Sequence, residues 1–193
     1  MNFVVDFFKD ILYKIGLWKK NAQIVFLGLD NAGKSTLISL LKTGRITQLD
    51  PTKHAHAEEL QIGNVSIKAF DLGGHAAMRK TWRQYYPKLD AIVYLIDSAD
   101  PTRFAESRRE LENITASEDL GAIPILALGN KIDKEGAVSE EELRLALGLA
   151  SQGSFGVQKV ERLNQKPVEL FMCSVVKKSG YADGFKWLTK ALP

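Results

Sequence analysis

Lys34 and Ser35 follow two glycines at a spacing suited to holding phosphate: Gly28-Leu29-Asp30-Asn31-Ala32-Gly33-Lys34-Ser35. The apolar run Ile24-Val25-Phe26-Leu27 precedes this loop, and the helix-forming Thr36-Leu37-Ile38-Ser39-Leu40-Leu41 follows it. That strand–loop–helix setting is what a working phosphate loop needs. Gly28 and Gly33 free the backbone for turns that aim successive N–H groups at phosphate oxygens. The start of the following helix adds its dipole to the same task. Lys34 is placed to reach the β- and γ-phosphates, and the Ser35 hydroxyl to join a Mg²⁺ shell. An incidental glycine turn is the alternative, and both flanks speak against it. The expected nucleotide-facing residues here are Asp30, Asn31, Ala32, Gly33, Lys34, Ser35 and Thr36.

Further segments sort the nucleotide. In Phe70-Asp71-Leu72-Gly73-Gly74-His75, Asp71 stands at a strand end where a carboxylate can hold Mg²⁺ through water. Gly74 lets a backbone N–H come close to a γ-phosphate. Asn130-Lys131-Ile132-Asp133 follows an apolar run, and the Asp133 carboxylate can accept from N1–H and N2–H of guanine, a pairing adenine cannot offer. Cys173-Ser174-Val175-Val176 follows the last apolar run, where backbone N–H groups of Ser174, Val175 and Val176 could meet guanine O6. Each motif is weak alone, since a polar loop is the ordinary explanation. In this order, each at the carboxyl end of a strand, they point to a guanine nucleotide.

The elements that must position these residues are legible as an alternation. Residues 22–27, 91–96, 123–128 and 168–172 are short apolar runs that read as strands buried on both faces, hence parallel. Amphipathic stretches at 34–42, 103–115, 139–147 and 184–192 lie between and after them. Ser139-Glu140-Glu141-Glu142 resembles a capping box. Residues 58–62 and 65–70 flank Gly63-Asn64, a hairpin signal. The expected fold class is therefore α/β: a doubly wound, mostly parallel six-stranded sheet with one antiparallel edge hairpin, binding ligand at the strands' C-terminal ends. Residues 148–167 show no clear period and read as a surface excursion.

These motifs, in this order, resemble those of the Ras-like small GTPases, and several details narrow the resemblance to the Arf/Sar family. The loop reads G-L-D-N-A-G-K-S, and the second switch reads D-L-G-G-H with His75 where relatives carry glutamine. Pro51-Thr52-Lys53-His54, Asn130-Lys131-Ile132-Asp133 and Cys173-Ser174-Val175 are similar to the Sar branch in particular. The likeness covers essentially the whole chain. It departs at Ala55-His56-Ala57, where Pro-Thr-Ser is more usual, and at Ala76-Ala77-Met78. The resemblance implies GTP or GDP as ligand and a Mg²⁺ site formed by Ser35, Thr52, Asp71 and Asp30. Thr52 would complete the shell only when a γ-phosphate is present; a plain turn threonine is the alternative. His75, as a neutral imidazole, would orient the attacking water. A lone histidine is more often structural, and His54 and His56 have no further ligand nearby to complete a metal site.

No arginine stands out in the sequence as a cis-acting finger, so hydrolysis should be slow alone, and an arginine supplied in trans could raise it by ~10³–10⁵. The resemblance implies that the inner COPII coat supplies this stimulation and carries cargo adaptors. It also implies a membrane-bound exchange factor, vesicle budding from the endoplasmic reticulum toward the Golgi, and a location in the cytosol and on the cytosolic face of the reticulum membrane. The Golgi is a second expected station. An Arf-like module that hydrolyses negligibly and a metabolic kinase are the competing readings, the latter lacking any visible lid.

Residues 1–20 stand apart from a GTPase domain expected over 21–193. Phe3, Val4, Phe7, Phe8, Ile11, Leu12 and Ile15 recur at helical spacing, while Asp6, Lys9, Asp10 and Lys14 mark the other face. This segment reads as an amphipathic helix in the bilayer interface, with Phe3, Phe7, Phe8, Ile11 and Trp18 as membrane residues; a helix packed on the domain is the alternative. Asn2 closes the myristoylation route.

Composition agrees. A chain of 193 residues makes one medium domain. A net charge of +3 is too small to argue for nucleic acid. The lone Cys173 excludes an intramolecular disulfide framework. No apolar run approaches the ~18–20 residues of a membrane span.

Overall fold

The computed structural model describes residues 22–44, 57–62, 65–70, 89–149 and 166–192. Six strands form one sheet: β1 (Ala22–Gly28), β2 (Ala57–Ile62), β3 (Val65–Phe70), β4 (Ala91–Asp97), β5 (Ile125–Asn130) and β6 (Val168–Met172). Among the described residues the α-helices are α1 (Lys34–Thr43), α2 (Phe104–Thr115), α3 (Glu140–Ala146) and α4 (Tyr181–Ala191). The strand order is β2-β3-β1-β4-β5-β6. Only β2 runs antiparallel, pairing Ala57 with Phe70 and Ile62 with Val65; every other neighbouring pair is parallel. The doubly wound sheet and its antiparallel edge are thus as expected.

The strands read as unbroken apolar runs because helices cover both faces. Ile24, Phe26, Val93, Leu95, Leu126 and Leu128 point to one side, where Leu37, Ile38 and Leu41 of α1 and Tyr181, Phe185 and Leu188 of α4 close over them. The intervening Val25, Leu27, Ile92, Tyr94, Ile96, Ile125 and Ala127 point to the other, against Leu111 and Ile114 of α2 and Leu143 of α3. Such alternation is the period of a strand, and with both faces dry it leaves no polar position to mark it.

Element boundaries moved where local chemistry intervened. β5 begins at Ile125 rather than residue 123, because Pro124 has no N–H to give the ladder; only its carbonyl takes part, accepting from the Ile92 N–H at 3.0 Å. A 3₁₀ turn, Pro101–Arg103, precedes α2, which therefore starts at Phe104. α4 starts at Tyr181, a turn before the expected Gly184. Gly184 is not the boundary it resembles: a Cβ there would lie 2.9 Å from Leu126 Cδ1, so its bareness lets α4 approach β5. The capping box at α3 is present, with Glu142 N–H donating to Ser139 Oγ at 3.2 Å and Ser139 N–H to Glu142 Oε2 at 2.8 Å.

One ion pair is buried between α3 and β6. Arg144 Nη2 meets Glu169 Oε1 at 2.5 Å, with Glu169 only 2% exposed, and also donates to the Leu170 carbonyl at 3.1 Å. Residues 1–20, the Gly63-Asn64 turn, Thr52, Asp71, Gly74, His75 and most of the 148–167 excursion lie outside the described residues.

Candidate nucleotide site

β1 delivers the loop and α1 receives it. Gly33, the residue before α1, has φ 100°, and no side chain caps the helix start. A left-handed turn there is costly for a residue with a Cβ, and that Cβ would also sit 2.3 Å from Asn130 Nδ2. The uncapped first turn leaves backbone N–H groups for a ligand, as an anion at a helix start requires. Lys34 is 3% exposed, and its ammonium donates to the Gly28 and Leu29 carbonyls at 2.9 and 2.7 Å. A buried cation inside a ring of backbone dipoles fits a phosphate. Asn31, Ala32, Ser35 and Thr36 lie on the same loop and first turn.

The carboxyl ends of β5 and β6 bring the base motifs to this loop. Asn130 joins all three segments: its Nδ2 donates to the Ala32 carbonyl at 2.9 Å, and its Oδ1 accepts from the Val175 N–H at 3.1 Å. Asn130 is thus a tie between loops. Lys131 sits at φ 70°, with its ammonium on Asp97 Oδ2 at 2.6 Å. Asp97 Oδ1 in turn accepts from the Ala99 N–H at 3.0 Å, so the end of β4 fixes the lysine. The Ser174 hydroxyl donates to Asp133 and accepts from the Lys177 N–H at 2.9 Å, which aims the exposed carboxylate.

The backbone amides of the last loop differ from expectation. Ser174 N–H is taken by the Ser179 carbonyl at 3.0 Å, and Val175 N–H by Asn130. Among the described residues, the Val176 N–H donates to no partner, so of the three it is the amide open to a base. Cys173, beneath this loop, has its thiol pushed up to about 12 by burial, with the Asp133 charge adding to it.

Asp30 is held differently from what its sequence position suggested. Arg103 Nη2 meets its Oδ1 at 2.7 Å, and the same guanidinium reaches the Asp30 carbonyl at 3.2 Å. A place in a metal shell would require the carboxylate to leave Arg103. Of the expected Mg²⁺ ligands, Ser35 is at the loop, while Thr52 and Asp71 lie outside the described residues. The hydroxyl at the head of α1 beside a buried ammonium suits a metal shared with phosphate oxygens. Arg103, Asp97 and Lys178, whose ammonium donates to the Gly44 carbonyl at the end of α1 at 3.1 Å, were not legible in the motifs. The partners that tie them to the site, Asp30, Lys131 and Gly44, are remote in sequence, and no spacing signals them.

Residues 8–192 match the ADP-ribosylation factor family. The small COPII coat GTPase SAR1 of Giardia intestinalis is 48% identical over 191 residues, covering 97% of this chain and 98% of the relative. Its counterpart from Nicotiana tabacum is 44% identical over 194 residues, covering 97% and 98%. ADP-ribosylation factor-like protein 3 of Chlamydomonas reinhardtii is 34% identical over 177 residues, covering 91% and 94%. The match over nearly the full length agrees with the motifs: the chain belongs to the ADP-ribosylation factor family of small GTPases, and within it resembles the Sar branch.

Proposed function

We propose that this GTPase is the membrane switch that starts COPII coat assembly on the endoplasmic reticulum. The observation that carries the reading is the 48% identity, over nearly all of both chains, to a protein named for that coat. In this reading the loop amides and Lys34 hold the phosphates, while Asp133 and the Val176 N–H select guanine. Asn130 and Lys131 brace the base pocket, the first from Ala32 and the second from Asp97. Ser35, Thr52 and Asp71 would hold Mg²⁺, which would neutralise phosphate charge.

His75 orients the attacking water, and the inner coat supplies an arginine in trans; phosphoryl transfer is mostly positioning and charge stabilisation. The hairpin of β2 and β3 joins the segment carrying Thr52 to the one carrying Asp71. A slide of two residues along the sheet keeps each side chain on its own face, and in this reading it expels the helix of residues 1–20 from the domain over 21–193. Phe3, Phe7, Phe8, Ile11 and Trp18 then enter the lipid interface. An exchange factor on the reticulum membrane loads GTP, and cargo-adaptor subunits bind the exposed switches.

Single-turnover phosphate release from the full-length chain, with and without the inner coat, tests this. The coat should accelerate the wild type, and His75→Gly should bind GTP normally yet lose most of that acceleration, because water positioning acts in the transition state. A coat without effect removes the COPII reading. Equal rates for variant and wild type make His75 structural.

A further inference from the structure

We infer that Arg103 is a positioning residue for the phosphate loop: it clamps Asp30 to the start of α2 and so slows release of bound guanine nucleotide. The inference rests on the reading of residues 28–35 as a nucleotide cradle.

The clamp has two grips on one residue 73 positions away. Arg103 Nη2 pairs with the Asp30 carboxylate at 2.7 Å, and Nη1 donates to the Asp30 carbonyl at 3.2 Å. Glu106, a turn further along, takes Nη2 at 3.1 Å and Nε at 3.3 Å, which fixes the plane of the guanidinium. Only a planar fork can serve all of these acceptors together.

Each grip serves phosphate binding. A carboxylate on a loop built for anions repels them unless it is neutralised and drawn aside, and the guanidinium does both. In a trans peptide the carbonyl of one residue and the N–H of the next point in opposite directions. Holding the Asp30 carbonyl outward therefore turns the Asn31 N–H away from Arg103, to the side the phosphates occupy under this reading.

The pair is half-exposed, 30% for Arg103 and 45% for Asp30, so it contributes little to overall stability. Its effect belongs in ligand retention, where a pre-formed loop lowers the cost of binding.

The test is the dissociation rate of a fluorescent GDP analogue from the full-length chain, chased with unlabelled GDP, in Mg²⁺ and again in excess EDTA. Arg103→Ala and Asp30→Ala should each speed release about tenfold in both conditions, with the double variant no faster than either single one. Arg103→Lys should fall between, keeping charge but losing the fork, and thermal midpoints should stay near wild type. Asp30→Ala acting only when Mg²⁺ is present would make Asp30 a metal ligand and overturn the clamp. So would additive effects in the double variant, or a rate increase that tracks lost thermal stability. Wild type that retains GDP, with variants unchanged, defeats the clamp alone; wild type that retains no GDP defeats the nucleotide reading beneath it.

Discussion

The Ser174 hydroxyl donates to the Asp133 carboxylate, joining the loop after β6 to the loop after β5 across 41 residues. Ser174 is 1% exposed while Asp133 is open to solvent, so a buried hydroxyl aims an exposed acid. A carboxylate free to rotate would bind the guanine edge only after paying for its own ordering.

Guanine selection should therefore depend on both residues. Asp133→Asn is expected to weaken GTP and favour xanthine nucleotide, whose edge presents an acceptor in place of a donor. Ser174→Ala should weaken GTP by about tenfold, the worth of one charge-assisted hydrogen bond, without admitting ATP. Direct competition among labelled nucleotides measures both. Equal binding of ATP and GTP by the wild type would remove Asp133 from base recognition.

Gly33→Ala should abolish nucleotide retention. The new methyl meets Asn130 Nδ2 at 2.3 Å, and the backbone at φ 100° is strained for any residue with a side chain. The left-handed conformation alone costs about 1–2 kcal/mol, and the displaced Asn130 releases Ala32 and Val175 together. Equilibrium dialysis with GDP checks the loss, and urea unfolding checks the cost. Normal retention would show that the loop does not need this turn.

Arg144→Ala should destabilise the fold by about 3 kcal/mol, because it removes the guanidinium that faces the buried Glu169 carboxylate. Replacing both, as Arg144→Met with Glu169→Leu, should recover most of that loss, since an apolar pair has no desolvation to repay. Urea midpoints decide this. A double variant as weak as Arg144→Ala would contradict it.

Alkaline pH should loosen the region under the base loop. Burial pushes the Cys173 thiol up to about 12 from an ordinary 9.0, and burial likewise takes Tyr181 to about 12 from 10.0, with Cys173 adding to it. Both groups are neutral when folded and release protons more easily when unfolded. Their contribution is intact below about pH 9 and is lost as pH rises toward 12. Urea midpoints measured across that window should fall, and Cys173→Ala should flatten the lower half of the decline. An unchanged slope would mean that Cys173 titrates normally in the fold.

Much of this was legible because local rules and the global fold agree. Strands covered on both faces show as apolar runs, the Ser139 box announces α3, and Asp133 follows its strand at a fixed offset. Pro124 and Gly184 misplaced element ends because their effects depend on ladder pairing and on how near α4 comes to β5. The occupied amides of Ser174 and Val175 were hidden for a similar reason. Backbone donors look alike in sequence, and only the approach of Asn130 and Ser179 tells which are spent. Arg103 read as a charge on a helix until the fold set it on Asp30.

The most direct test of the switch is flotation of the full-length chain with liposomes, loaded with GDP or with a non-hydrolysable GTP analogue. A ligand moves a protein between states only by its differential affinity for them, so membrane binding must differ between the two nucleotides if residues 1–20 answer to the γ-phosphate. The GTP-loaded chain should float, the GDP-loaded chain should remain in the soluble fraction, and a chain beginning at Asn21 should float in neither state. Equal flotation with both nucleotides, or GTP-dependent flotation of the chain beginning at Asn21, would contradict it.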